Sequence, residues 1–377
     1  MGIERITPSQ AQERQRRGIR LIDVREPHER AGGAAADSLG VPKAELEADP
    51  GAIAQNRGEP LMLICERGGR SLQAAERLHA LGYSSIASVD GGTSRWIGDG
   101  LPVVRDETQG DTNFHERYSR HLRLPEVGIA GQRRLEAADV AMIGAGGLGS
   151  PIAFYLAAAG VGRLTIADDD VVDRSNLQRQ ILHTDDAVGT RKVDSARARV
   201  AALNPDVDVR RFAERVTAAN VERLIGDADV VIDGADNFPA RYLVNDACVK
   251  LGKPLVYGAV HRFEGQASVF DAGRRRGQAP CYRCLFPEPP PPEAAPNCAE
   301  AGVLGVLPGV IGLVQATEAI KLILGIGDSL AGRLLHFDAL AMRFRETRLT
   351  PDPDCVVCAP GRSFPGYVDY ATFCAGG

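Results

Sequence analysis

The stretch Val140-Ala-Met-Ile-Gly-Ala-Gly-Gly-Leu-Gly-Ser-Pro-Ile-Ala-Phe-Tyr-Leu156 leaves this chain few choices. Val140 to Ile143 is a short apolar run of the length of a buried strand. Gly144, Gly146 and Gly149 then form G-x-G-x-x-G, with Gly147 inside it. Glycines there let the backbone turn tightly and approach a phosphate without a clashing side chain. Pro151 suits the first turn of a helix, where its missing N–H has no partner to lose. The N-terminus of that helix offers free N–H groups and the positive dipole end to an anion. No residue from Val140 to Gly162 is charged, a length that would span a bilayer. Glycines and a proline in the middle of the run make a buried strand, turn and helix the better reading. The turn by itself would equally suit a nicotinamide dehydrogenase, so its surroundings must decide.

A chain of 377 residues predicts two or three domains, and 44% hydrophobic with 25% charged residues predicts large cores. The formal charge of −5, from 44 basic and 49 acidic residues, argues against a nucleic-acid coat. Met-Gly-Ile-Glu-Arg-Ile-Thr-Pro at the start carries no apolar run, which predicts a cytoplasmic protein without a membrane partner. Eight cysteines, at 65, 248, 281, 284, 298, 355, 358 and 374, point to metal binding and catalysis rather than disulfides. Neither Cys248 nor Cys374 suggests a role.

Residues 1–105 read as a small α/β domain. Leu21–Val24 and Leu61–Ile64 are short buried strands, and Ser71–Leu81 is a helical pattern ending at Gly82. The loop Cys65-Glu-Arg-Gly-Gly-Arg-Ser71 lies between a strand and a helix. Backbone N–H groups, a helix N-terminus, Arg67 and Arg70 would all favour a thiolate at Cys65. These features resemble a single rhodanese domain, through Asp-Val-Arg-Glu at 23–26, the Cys65 loop, and Gly91-Gly92 before Trp96. The resemblance implies a persulfide on Cys65. Asp23, Arg25 and Trp96 are read as structural: a buried salt bridge and a core aromatic. Gly32-Gly33-Ala34 departs from the usual pattern, which often has a His before Gly-Ala. Residues 106–113 are polar and aperiodic, as in a linker.

Past the glycine turn, Leu164–Ala167 is a second strand ending in Asp168-Asp-Asp170. Asp170, 21 positions beyond Gly149, is placed to hold a ribose hydroxyl. Arg120 upstream and Arg179 and Lys192 downstream are candidates for the cations a triphosphate needs, though each alone reads more simply as a solvated surface cation. Asp229–Asn237 is another buried strand whose C-terminal end carries Asp233 and Asp236, the latter a candidate magnesium ligand.

Residues 114–358 together resemble the ubiquitin-activating superfamily in its small bacterial ThiF/MoeB form. The likeness rests on Arg-Tyr-Ser-Arg at 117–120, Gly-Ala-Gly-Gly-Leu-Gly at 144–149, Asn-Leu-Gln-Arg-Gln at 176–180, Lys192, and Asp236-Asn237. It implies a doubly wound, Rossmann-like domain that uses ATP and Mg2+ to adenylate the C-terminal glycine of a small ubiquitin-like sulfur carrier ending in Gly-Gly. By the same resemblance Asp170 holds the ribose, Arg179 and Lys192 hold phosphates, Asp236 holds magnesium, Asn176 and Asn237 belong to the nucleotide-binding set, and Arg120 reaches the phosphates of the ATP of a second subunit in a homodimer.

Cys281-Tyr-Arg-Cys284 and Cys355-Val-Val-Cys358 match a tetrahedral Zn2+ site of four thiolates, structural because no coordination position is open. Between them, Pro287–Pro292 reads as a stiff loop, and Cys298 is either a second nucleophile or a bystander thiol. Val303–Leu324 reads as a buried or dimer-interface helix, and Leu334–Phe344 as closing strands. The tail 359–377 lies outside the resemblance. The combined expectation is a bifunctional enzyme in which sulfur from a donor, thiosulfate or a cysteine desulfurase persulfide, passes through Cys65 to give a carrier thiocarboxylate. The molybdopterin type leads; thiamine synthesis, transfer-RNA thiolation and a non-catalytic carrier-binding adaptor are the alternatives.

Overall fold

A computed structural model describes residues 3–104, 112–289 and 302–368. The chain divides into two compact units, Met1–Ile129 and Ala130–Gly377.

In the first unit, five parallel strands run in the order Glu4–Ile6, Ile86–Val89, Leu61–Ile64, Arg20–Asp23, Leu39–Gly40. Successive side chains on a strand point to opposite faces, and here both faces are buried. Ile22, Leu63 and Cys65 pack with Ala74, Ala75 and Leu78. Leu21, Met62 and Ile64 pack with Val89 and Trp96. That is why these strands read as continuous apolar runs rather than alternating ones. Asp23 and Arg25 form the expected buried salt bridge, with Arg25 Nη2 2.7 Å from Asp23 Oδ2. Arg25 also donates to the Gly33 carbonyl at 2.8 Å, so the buried pair has hydrogen bonds beyond its own. Trp96 is a core residue whose Nε1 donates to Pro102 O at 2.8 Å.

The second unit is built on eight strands in the spatial order Asp208–Phe212, Arg163–Ala167, Asp139–Ile143, Val230–Asp233, Leu255–His261, Glu264–Phe270, Arg333–Asp338, Arg343–Arg348. The first five are parallel and the last three join as antiparallel neighbours. Numbered along the chain, the parallel part runs 3-2-1-4-5, the doubly wound arrangement expected from the glycine turn. The order reverses between Asp139–Ile143 and Val230–Asp233, and ligands bind at the carboxyl ends of strands at such a point.

The helix Leu307–Leu324 is long and apolar enough to cross a membrane by composition, yet it is a core helix of this unit. Its buried Gln315 donates to the carbonyls of Asp233 and Val256 at 2.8 and 3.2 Å. Its buried Glu318 accepts from Leu330 N at 2.8 Å. Polar groups with such partners suit a protein interior rather than lipid. Gly312 lets the helix approach Gly149–Ala159 closely, since a Cβ there would lie 2.6 Å from Pro151 Cγ.

Candidate functional site

At the strand-order reversal the glycine turn meets the loop after Val230–Asp233. Gly144 has φ +103°, and a Cβ on it would sit 2.5 Å from the Gly234 carbonyl oxygen. A Cβ on Gly149 would overlap the carbonyl of Gly144. These two glycines hold the turn together, whereas a Cβ on Gly146 would meet nothing closer than 3.6 Å. Above them opens a cavity of about 370 Å³ whose walls include Gly144, Gly146, Gly147, Asp170, Asn176, Arg179, Lys192, Asp236 and Asn237. Nine residues selected from the glycine spacing, the strand ends and the family resemblance thus surround one space, and Gly149 braces it from behind.

The second strand controls the turn through Asp168. Its Oδ2 accepts from Ala145 N at 2.8 Å and its Oδ1 from Asp170 N at 2.9 Å. Burial pushes this carboxyl up, against the pull of the Lys192 charge and these N–H groups. Asp170 is exposed and accepts from Lys192 Nζ at 2.7 Å, so the residues expected at ribose and phosphate neutralise one another. They meet because Val171 and Arg191 form a β-bridge, which folds the intervening segment back on itself. Lys192 is buried and opens the helix Lys192–Leu203. Gln180 ties down the Asn176 turn, donating to Asn176 Oδ1 at 2.7 Å. Asn237 caps the helix Phe238–Leu251, accepting from Ala240 N at 3.0 Å, which leaves Asp236 exposed at the cavity wall.

Two functional residues were not anticipated. His183 is buried, with Nε2 2.9 Å from Ala145 O and Nδ1 2.9 Å from Ser195 Oγ. Burial lowers its pKa, opposed by the Ala145 hydrogen bond and aided by the Lys192 charge, so the ring is a neutral prop of the turn. Arg241 lines the cavity, donates to Ala235 O at 2.9 Å, and lies 3.4 Å from Asp233 Oδ2. Burial raises Asp233 to about 6 despite that cation. Arg241 stands four residues after the Asn237 cap, one helical turn on, so a known helix start would have pointed to it. An isolated His183 carries no comparable signal.

In the first unit, Cys65 is buried and its Sγ accepts from Ser71 N at 3.3 Å. The loop from Glu66 turns through Gly68 at φ +90° into the helix Gly69–Ala80. Both Nη atoms of Arg70 bond Glu29 at 2.7 Å, and Arg67 is exposed. Arg120 belongs to this unit, directly before the turn His121–Arg123, and is not among the residues lining the glycine-turn cavity. Cys298 and Cys374 lie outside the described residues. Cys248 is buried on Phe238–Leu251, where burial pushes its thiol far up, and it has no evident chemical role.

Cys281, Cys284, Cys355 and Cys358 gather into one cluster with all four sulfurs within 4.8 Å of one another. The pairs lie far apart in sequence and meet beside Val249, Ala272, Val357 and Ala359.

Comparison with known proteins agrees with this geometry. The ThiF family model matches residues 118–357, and the rhodanese-like domain model matches residues 7–99. The chain is 52% identical over 266 residues to the SAMP-activating enzyme E1 of Haloferax volcanii, covering 70% of this chain and 97% of that protein. It is 51% identical over 260 residues to the sulfur carrier protein adenylyltransferase of Thermus thermophilus, covering 69% and 96%. With the adenylyltransferase and sulfurtransferase MOCS3 of Sus scrofa it shares 50% over 259 residues, covering 68% and 56%. Among solved structures, E. coli MccB with ATP shares the fold at a TM-score of 0.57 and 20% identity, over 70% of this chain and 79% of that one. A glycine turn beside Arg179 and Lys192 and a loop-held thiol on a separate unit agree with these matches: the chain belongs to the ThiF family, an adenylyltransferase that carries a rhodanese-like sulfurtransferase domain ahead of its ATP-binding domain.

Proposed function

We propose that this enzyme adenylates the C-terminal glycine of a small ubiquitin-like sulfur carrier ending in Gly-Gly and then converts it to a thiocarboxylate. The observation that carries the reading is the single cavity walled by the glycine turn, Asn176, Arg179, Lys192 and Asp236. The carrier carboxylate attacks the α-phosphorus of ATP, and pyrophosphate leaves. Arg179 and Lys192 bind the phosphates, and Asp170 takes the ribose once Lys192 turns to phosphate. Asp236 is the carboxylate that would hold Mg2+, and the ion would supply charge neutralisation for the phosphates. Among the acids here, Asp168 is occupied by two N–H groups and Asp170 by Lys192, while exposed Asp236 pairs with no cation among the described residues and accepts only from the neighbouring Asn237 Nδ2 at 3.3 Å. A magnesium ion takes only one or two protein carboxylates beside the phosphates. The enzyme acts as a homodimer in which Arg120 serves the neighbouring subunit's ATP.

The terminal sulfur of a Cys65 persulfide attacks the acyl adenylate, AMP leaves, and an acyl persulfide joins carrier and enzyme. A second thiol then attacks Cys65 Sγ, releasing the thiocarboxylate and leaving a disulfide for an external thiol to reduce. Cys298 is the chain's own candidate for that thiol. A relative named for both activities, and another named for a sulfur carrier protein, support the pairing of adenylation with sulfur transfer. The test is the intact mass of Gly-Gly-ended carriers after incubation with enzyme, ATP, magnesium and a sulfur donor. Exchange of one oxygen for one sulfur is expected. Unchanged carriers with no ATP–pyrophosphate exchange would leave only an adaptor that binds carriers.

The cysteine cluster fits zinc. Four ligands at about 2.3 Å in a tetrahedron place sulfurs about 3.8 Å apart, and the Cys284–Cys358, Cys281–Cys355 and Cys281–Cys284 separations are 3.4, 3.6 and 4.0 Å. All four positions are then filled by protein, so the metal would be structural. One zinc per chain is expected by elemental analysis. Cys355→Ser should release it and lower stability by more than about 4 kcal/mol, roughly 10 °C in Tm for a unit of this size. Zinc-free protein with an unchanged Tm would refute the assignment.

A further inference from the structure

The ThiF family model stops at residue 357, but the chain beyond it, as far as Val368, lies folded on the second unit. Arg276 donates to the carbonyls of Ala359 and Arg362, at 3.4 and 3.3 Å, and fixes the start of this tail beside the cysteine cluster. Farther on, Tyr367 packs against a core that includes Tyr242 and Tyr282, and its hydroxyl donates to Glu222 Oε1 at 2.8 Å. Burial and the Glu222 carboxylate push the phenol up, so it keeps its proton and remains a donor. Lys250 Nζ reaches the same Glu222 oxygen at 2.5 Å and lies 5.2 and 5.3 Å from the ring centroids of Phe364 and Tyr367. Those two rings meet edge to face, with centroids 4.9 Å apart. The tail is thus stapled across two helices, Val221–Ile225 and Phe238–Leu251. The next residue, Val368, stands in the wall of the glycine-turn cavity.

A nucleotide with its phosphates at the glycine turn and its ribose at Asp170 sends its base away from the turn. In that direction lies the strand Asp208–Phe212, paired with Arg163–Ala167, and the residues that follow it, 214–218, line the cavity. Tyr367 is bonded to Glu222, four residues past Ala218, which puts Val368 at this end of the cavity. Val216, Ala218 and Leu243 are also in the lining, so the wall here has an apolar face. Apolar side chains with a few polar groups at the rim are what a purine ring takes.

We propose that the tail supplies one wall of the purine subsite: Val368 touches the base, and Tyr367 is the positioning residue that keeps it there. This rests on the reading that the cavity binds ATP. The ligand is the adenosine part of ATP, and of the acyl adenylate and AMP that follow it.

The experiment titrates the full-length protein by calorimetry with ATP and with inorganic tripolyphosphate, each with magnesium. Tripolyphosphate carries the charge but no base. Val368→Ala is expected to raise the ATP Kd about fourfold, the value of about one methylene left in water. Val368→Asp, which sets a charge against the base, and Tyr367→Ala, which releases the staple, should each raise it about tenfold. Tyr367→Phe loses only the hydroxyl bond and should fall between the parent and Tyr367→Ala. The tripolyphosphate Kd should stay within about twofold of the parent in every variant, well below the effect of one lost contact. Melting temperatures should stay near the parent's, because Val368 is exposed and Tyr367 only half-buried. ATP binding at parent strength in both Val368→Asp and Tyr367→Ala overturns the proposal. So does an equal loss for the two ligands, which would make the tail a prop of the whole unit. A parent protein that binds neither ligand brings down the reading of the cavity itself.

Discussion

Lys192→Ala is expected to reduce ATP–pyrophosphate exchange by about 10²- to 10³-fold, the usual loss when one preorganised charge is taken from a transition state. Lys192 is 5% exposed and starts a helix, so its ammonium is held at the positive end of the helix dipole. Its present partner, Asp170, is exposed and loses little by being left in water. The defect should therefore fall on exchange and on ATP affinity, with the fold intact by circular dichroism. Arginine should not restore activity, because a planar fork does not fit a slot shaped for a compact ammonium. Exchange at the parent rate in Lys192→Ala would reduce the residue to an ion-pair partner of Asp170 and move phosphate binding to Arg179 and Arg241.

Cys65→Ala is expected to abolish carrier thiocarboxylate while leaving ATP–pyrophosphate exchange unchanged. The substitution removes one sulfur and one weak hydrogen bond, from Ser71 N at 3.3 Å. The loop keeps its backbone ties, Thr93 N to Cys65 O at 2.8 Å and Ser94 N to Glu66 O at 3.0 Å. It also keeps the Glu29–Arg70 pair. A melting temperature close to the parent's is thus part of the expectation, and the loss is chemical rather than structural. The contrast between the two variants is the decisive result. Lys192→Ala stops the first half-reaction and everything after it, whereas Cys65→Ala stops only the second. Undiminished thiocarboxylate from Cys65→Ala would make the first unit a docking module for a sulfur donor rather than a carrier of sulfur.

Much of this site was legible before any coordinates. The glycine turn, the acid 21 positions later and the two C-x-x-C pairs are set by local geometry. A strand must lead into a turn without side chains, and a tetrahedral metal needs four soft ligands. The buried pair Asp23–Arg25 and the core Trp96 were legible for the same reason. The thiol's surroundings were only partly so. Two arginines within five residues of Cys65 suggested a cationic nest, but a sequence does not say which carboxylate will reach them. Glu29 is 41 positions from Arg70, and the pair forms because the helix Pro27–Ala31 follows a strand adjacent to the one that precedes the loop.

The same division holds in the second unit. Spacing named the turn glycines, Asp170 and Asp236, because strand ends in a parallel sheet all fall on one edge, and the family resemblance added Asn176, Arg179, Lys192 and Asn237. Only the folded chain decided how they are used. Asp168, rather than its neighbour Asp170, anchors the glycine turn, since its carboxylate is the one within 2.8 Å of Ala145 N. A β-bridge between Val171 and Arg191 puts Lys192 on Asp170. His183, Arg241 and Gln315 enter through contacts spanning 38, 6 and 82 positions. Local chemistry follows from short-range stereochemistry, which any reader of the chain can reconstruct. Charge pairing and burial follow from which distant segments the cores press together, and those contacts exist only in three dimensions.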